Sequence, residues 1–169
     1  MKNENTKSMI THVKRPLVLA TCLILAALAP PAAELSRAGG SPPVPVNQTF
    51  TTNACGSFDV QVTLTGKAGT IVLPNGGLIF TAPDQYVTFT NLSDPTKSVT
   101  LNATGSAHFS FDANGNQIFM LPGRTVTVAP STGILLSVGN FTEVFDSNGN
   151  LIQGPTGSGQ ITQVCDLIN

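Results

Sequence analysis

The chain has 169 residues, enough for one domain of ordinary size. From Cys55 to the end it carries three lysine or arginine residues against seven aspartate or glutamate residues, a net charge of −4. Nucleic-acid binders need a basic face, and anionic membrane surfaces attract clustered positive charge, so neither is an expected partner.

The first 33 residues have the organisation of a secretory signal peptide. Residues 1–15 include four positive side chains, and 13 uncharged residues follow from Leu17 to Ala29. This apolar run is shorter than the roughly 20 residues that span a membrane. We therefore expect cleavage between residues 29 and 38 and a secreted, extracellular or cell-surface protein. An uncleaved N-terminal anchor is the alternative.

The next segment is rich in glycine, proline, serine and threonine. It runs from Glu34 to Ala54, "ELSRAGGSPPVPVNQTFTTNA". Such a composition is typical of a flexible or polyproline-like leader. We therefore place the folded domain at residues 55–169.

Apolar and polar residues alternate with a period of two through most of the domain. In "FDVQVTL", for example, Phe58, Val60, Val62 and Leu64 share one face, and "SAHFSFD" places Phe109 and Phe111 inward. Turn-forming segments such as "LPNGG", "SDPT" and "APSTG" separate these runs. The pattern predicts an all-β fold, a single antiparallel β-sandwich, Ig-like or similar, of nine to twelve short strands.

Two cysteines flank this domain, Cys55 near its start and Cys165 near its end. Neither has the spacing of a CxxC redox or metal motif. In an exported chain an even pair of cysteines predicts one disulfide bond.

An eight-residue phrase occurs twice, "FDANGNQI" from Phe111 and "FDSNGNLI" from Phe145. Asn-Gly between alternating segments predicts a β-hairpin with a two-residue type I′ turn. That turn places Phe111 opposite Ile118 and Phe145 opposite Ile152, so that large apolar residues meet on one face.

The same phrases offer a second interpretation, calcium binding. Oxygen donors stand at alternate positions: Asp112, Asn114 and Asn116, then Asp146, Asn148 and Asn150. An EF-hand loop, however, needs glycine at its sixth position and glutamate at its twelfth. Counted from the aspartate, each of these loops has glycine at its fourth and twelfth positions and carries only one carboxylate. We therefore favour plain hairpin turns and expect no cofactor.

Candidate catalytic groups are few. His108 falls on the outward face of its strand with Ser106 and Ser110, too widely spaced for a hydrogen-bonded triad. Glu143 lies between Phe141 and Phe145, so a regular strand would bury its carboxyl group, and a buried carboxyl is a site candidate. An edge strand or a bulge at this position is the alternative. An enzyme would need His108, Glu143 or Asp166 to meet partners distant in the sequence.

Carbohydrate binding is only weakly indicated. Exposed aromatic rings commonly form the platform of a sugar-binding face, whereas this chain has no tryptophan and a single tyrosine, Tyr86. The nine phenylalanines lie mainly at inward positions, so we expect them to form part of the hydrophobic core.

Four segments of the chain resemble a group of small exported single-domain proteins of actinobacteria. They are "CGSFDVQVTLTGKAGTIVLPNGG", "TNLSDPTKSVTLN", "GNFTEVFDSNGNLIQ" and "GSGQITQVCDLI". The resemblance covers the chain from Cys55 to its end. It implies a secreted, disulfide-closed β domain and no assigned activity or site residue.

Three functions follow as hypotheses. The first is an exported, non-enzymatic β-sandwich that acts by surface binding, with a cell-envelope component or another protein as partner. The second is a small secreted hydrolase. The third is a calcium-stabilised, adhesin-like module.

Overall fold

A computed structural model describes residues 39–129 and 132–169. The predicted signal peptide, residues 1–33, lies outside the described residues. Inside them the protein is almost entirely β, and the predicted all-β class is confirmed. The described residues form ten strands and one short 3₁₀ helix: β1 (Gly39–Gly40), β2 (Val44–Thr52), β3 (Val60–Val72), β4 (Leu78–Ala82), β5 (Tyr86–Asn91), β6 (Ser98–Asn102), β7 (Gly105–Phe111), β8 (Gln117–Ala129), β9 (Gly133–Phe145), β10 (Leu151–Gln163) and the 3₁₀ helix Val164–Leu167.

The strands form one antiparallel sheet in the order β10-β9-β8-β7-β4-β3-β5-β6, with β1 and β2 also paired to β3. Strand β3 is the hub of this sheet, because four other strands pair with it. Its first part lies between β2 and β5, and its last residues pair with β1 and β4.

The segment expected to be a flexible leader is partly a strand, so that prediction was wrong for residues 44–52. Strand β2 pairs with β3 from Val44 opposite Ala68 to Thr52 opposite Val60. Val46 and Phe50 pack against the core. Val46 and Phe50 share one face of the strand although the polar Gln48 lies between them, and nine in-register pairs with β3 hold the segment as a strand despite its composition.

The sheet folds over on itself along a line of glycines. Gly123 pairs with Gly105 on β7 and with Gly139 on β9, and Gly139 pairs with Gly159 on β10. Gly139 has φ 149, and a side chain there would clash with the carbonyl oxygen of Ser158. Glycine thus permits both the backbone conformation and the close approach of the strands.

A contact between two distant parts of the β8–β9 hairpin demonstrates this fold. Thr127 lies opposite Leu135 in the register, and Glu143 is eight residues further along β9, about 26 Å away on a straight strand. Nevertheless, Thr127 Oγ1 donates a hydrogen bond to Glu143 Oε1 at 3.3 Å. The two halves of the hairpin therefore face each other, with the glycine line at the bend.

This bend produces two hydrophobic clusters. The first joins β3 and β5 to one half of β8–β9 and to the C-terminal segment; its buried members are Ala54, Val60, Val62, Leu64, Val87, Phe89, Ala103, Val126, Val128, Ile134, Leu136, Val164 and Ile168. The second lies in the other half and consists of Ala107, Phe119, Leu121, Phe141 and Phe145. The result is a sandwich-like packing made from a single sheet.

The predicted disulfide is present. The sulfur atoms of Cys55 and Cys165 are bonded, with the Cα atoms 5.5 Å apart. Both cysteines pack against the first cluster. The bond therefore ties the chain just before β3 to the short C-terminal helix.

Both predicted hairpins form, but their register differs by one residue from the prediction. Phe111 lies opposite Gln117, and Phe145 lies opposite Leu151. In the first hairpin Asp112 N donates to Asn116 O, which leaves a three-residue loop with Gly115 at φ 80. Phe111 contacts the ring of Phe109 but is 61% exposed at the hairpin tip, so its predicted inward position was also wrong.

Candidate functional site

The oxygen donors considered for calcium lie at the two hairpin tips, where the aspartates close the turns. Asp112 Oδ1 accepts from the backbone nitrogens of Asn114 and Asn116, and Oδ2 accepts from Asn116 Nδ2. These hydrogen bonds hold the pKa of Asp112 below its ordinary value. The carboxylate thus already has three internal donors.

The second tip repeats this arrangement around Asp146, with Asn148 and Asn150 as donors, and the pKa of Asp146 is lowered for the same reason. Within the part of the chain that the structure describes, no group of three or more histidine, cysteine, aspartate or glutamate side chains is placed to hold a metal ion. The calcium interpretation stays a prediction.

Glu143 is buried, as expected for a regular strand. It is 3% exposed, between the buried Phe141 and Phe145. Burial raises the pKa of its carboxyl group, and the hydrogen bond from Thr127 opposes this effect. The bend in the sheet thus encloses one carboxyl group between its two layers.

The other candidate catalytic residues do not join Glu143. His108 pairs with Met120, whereas the neighbouring pair Phe109–Phe119 shares the face of Glu143. His108 therefore lies on the opposite face of the sheet. Asp166 is exposed in the C-terminal 3₁₀ helix. The structure does not bring His108, Glu143 and Asp166 together, and the hydrolase hypothesis stays a prediction.

A small cleft with a mainly apolar lining was not anticipated from the sequence. Four alanines, 68, 82, 103 and 107, line it together with Gln85 and Thr125. It has room for about one water molecule. Gln85 Nε2 and Thr125 Oγ1 are buried and have no hydrogen-bond partner among the described residues.

The most regular surface feature is the outer face of the β2-β3-β5-β6 part of the sheet. In-register pairing places twelve side chains there, in three rows of four. The rows are Asn47-Thr65-Tyr86-Asn102, Thr49-Thr63-Thr88-Thr100 and Thr51-Gln61-Thr90-Ser98. We call these twelve residues the threonine face. None of them carries a charge.

The sequence dictates this face through alternation. In β5, Val87 and Phe89 are buried, so Tyr86, Thr88 and Thr90 must point outward. At strand spacings, the twelve residues cover an area of about 14 by 13 Å. Lys67 borders the face in the next row, opposite Pro45.

Hydrogen bonds between side chains tie neighbouring strands together across the threonine face. Thr88 Oγ1 and Thr100 Oγ1 are 2.8 Å apart, and Thr90 Oγ1 and Ser98 Oγ are 2.9 Å apart. Thr49 and Thr63 hydroxyls are 3.2 Å apart. Each hydroxyl has one donor and two acceptor positions, so the array retains capacity to bond a ligand.

The sequence contained a signal for this face. The segments "TFT", "TLT" and "TFT" repeat threonine at alternate positions at 49–51, 63–65 and 88–90. What it could not show was the register that brings the three segments side by side with β6.

No family model, curated protein or solved structure matched the chain. Over residues 39–129 and 132–169, the structure contains no helix long and apolar enough to cross a membrane. The candidate functions therefore depend on the residues themselves, and the resemblance to exported actinobacterial proteins stays a prediction.

Proposed function

We propose that this protein is a non-enzymatic binding protein of the cell envelope or the extracellular medium, and that its binding surface is the threonine face. The observation that carries the proposal is the register that aligns twelve uncharged side chains in three rows. The partner should be uncharged, because an ionic ligand would lose hydration without gaining an opposite charge.

Two further observations support this proposal. The disulfide between Cys55 and Cys165 fits an oxidising compartment outside the cytoplasm. The opposite side of the sheet is also well packed. Residues that alternate along the strands with those of the threonine face, such as Val62 and Phe89, are buried in the first cluster. A rigid sheet holds its exposed groups in fixed positions and so reduces the entropy lost on binding.

The proposal is tested by adding charge to the face. The double variant Thr49→Lys plus Thr100→Lys places two positive charges at exposed positions in the middle row. Binding to washed envelopes of the producing cells, measured by co-sedimentation, should fall by about tenfold or more, since each buried charge costs at least 1–2 kcal/mol.

The matched control is Ser158→Lys plus Gln160→Lys, two exposed positions on β10 that lie away from the face. It adds the same charge and should bind like the unmodified protein. Because the partner is uncharged, raising the salt concentration should leave binding unchanged. Equal binding by both double variants would refute the assignment of the face.

A further inference from the structure

The threonine face contains one side chain that is neither small nor fully polar. Tyr86 is 46% exposed and lies between Thr65 and Asn102 in its row. It is the chain's single tyrosine, and there is no tryptophan. Its ring offers an apolar surface with a polar tip, the amphipathic combination that suits a ligand with both C–H and O–H groups.

The groups around Tyr86 can both donate and accept hydrogen bonds without carrying charge. Asn102 Oδ1 accepts from Thr104 N at 2.8 Å, which fixes the orientation of the amide and leaves the Nδ2 hydrogens as donors. Thr65 on the other side of the ring adds a hydroxyl that can donate or accept. Neighbouring strands lie about 5 Å apart, so all three residues can contact one ligand.

The composition of the face also separates the possible classes of partner. Protein interfaces concentrate their binding energy in tryptophan, tyrosine and arginine anchors seated in pockets. The threonine face, apart from Tyr86, consists of threonine, serine, asparagine and glutamine. Anionic polymers would require positive charge, which the twelve residues lack. A neutral polymer of hydroxyl-bearing rings matches all of these properties.

We propose that the threonine face binds a neutral polysaccharide, with one sugar ring stacked on Tyr86 and adjoining rings hydrogen-bonded to the hydroxyl and amide groups beside it. This inference rests on the proposed function and names its ligand. Three successive rows of side chains suit an extended polymer better than a small sugar, because contacts in each row add avidity.

The first experiment measures co-sedimentation of the full chain with insoluble cellulose and chitin, and its retention on immobilised heparin as an anionic comparison. We expect binding to at least one neutral polymer and none to heparin. Tyr86→Ala should weaken binding by about tenfold, whereas Tyr86→Phe should retain most of it. The matched control is Phe111→Ala, since Phe111 is an exposed aromatic residue outside the face, and it should bind normally.

The second experiment uses soluble fragments of the polymer that binds. Since there is no tryptophan, tyrosine emission reports on Tyr86 alone. Titration with these oligosaccharides should change that emission and saturate.

Three results would overturn the proposal that the ligand is a neutral polysaccharide. They are no binding to either neutral polymer, binding by Tyr86→Ala as strong as that of the unmodified protein, or a loss of binding in Phe111→Ala as large as that in Tyr86→Ala. If envelope binding is still abolished by Thr49→Lys plus Thr100→Lys, the threonine face remains the binding surface and only its ligand is wrong. If those lysine substitutions have no effect on envelope binding, both proposals fail together.

Discussion

Thr125 and Thr127 are two residues apart on the same face of β8, but their hydroxyl groups are in different situations. Thr127 donates to Glu143 Oε1, whereas Thr125 Oγ1 is buried without a partner in the described residues. A buried polar group without a partner costs about 1–3 kcal/mol, while one that satisfies a neighbour is costly to remove. The two positions therefore allow a matched test.

Thr125→Val should raise the free energy of unfolding by about 1–2 kcal/mol, because valine has the same shape and removes the unpaired hydroxyl. Thr127→Val should lower it by about 1–3 kcal/mol, because Glu143 then loses its donor. Urea unfolding at constant pH measures both changes. A loss of stability in Thr125→Val would show that the Thr125 hydroxyl does have a hydrogen-bond partner and would contradict the prediction.

Glu143 makes stability depend on pH. Burial raises the pKa of this carboxyl group in the folded state above its ordinary value of 4.5. The folded protein therefore binds the proton more tightly than the unfolded chain does. The stabilisation that this tighter proton binding gives the folded state is fully present below pH 4.5. It is lost as the pH rises through the pKa of Glu143 in the folded protein.

Glu143→Gln removes this dependence, since the amide stays neutral and still accepts from Thr127. We expect the variant to gain stability relative to the unmodified protein as the pH rises from 4.5 towards neutrality. Urea unfolding of both proteins across that range measures the difference. The aspartates with lowered pKa, such as Asp112, affect stability below this pH range. They do so equally in both proteins, so their effects cancel in the difference between the two. A constant difference across the range would exclude Glu143 as the titrating group.

At the scale of strands and turns, the line of glycines across β7, β8, β9 and β10 is the feature that gives the sheet its shape. Gly139→Ala should lower the free energy of unfolding by about 2–3 kcal/mol, because alanine is strained at φ 149 and would clash with Ser158 O. Gly154 on β10 has open space around it. Gly154→Ala should therefore change stability by less than about 1 kcal/mol. Thermal unfolding of the two variants measures the contrast, and similar melting temperatures would mean that the bend does not depend on Gly139.

Strands were easier to predict than their register. Alternation in the sequence located most strands and placed Glu143 inward on the condition that its strand is regular, because burial on one face is a local property of each strand. The hairpin registers were wrong because Asn-Gly serves both two-residue and three-residue loops. The choice depends on the aspartate before it: Asp112 Oδ1 accepts from Asn114 N and Asn116 N and so favours the longer loop. The bend, the small cleft and the alignment of the threonine face arise from pairing between distant segments, which periodicity does not report.

For the molecule as a whole, the disulfide is the main covalent constraint. Cys55 and Cys165 are separated by 110 residues, and closing a loop of that length restricts the unfolded chain by about 4–5 kcal/mol. Cys55→Ala plus Cys165→Ala should lower the free energy of unfolding by about that amount. Reductant should destabilise the unmodified protein alone, as measured by urea unfolding. An equal effect of reductant on the double variant would show that it acts elsewhere.

The position of Val164 and Ile168 has a consequence for the order in which the chain can fold. Both side chains are fully buried in the cluster built by Val60, Phe89 and their neighbours, more than seventy residues earlier. During synthesis, or during passage through a narrow channel, the N-terminal strands appear first and lack the residues that complete their core. The N-terminal strands must therefore wait, incompletely packed, until residues 164–168 arrive, and this core closes only after β10 has emerged.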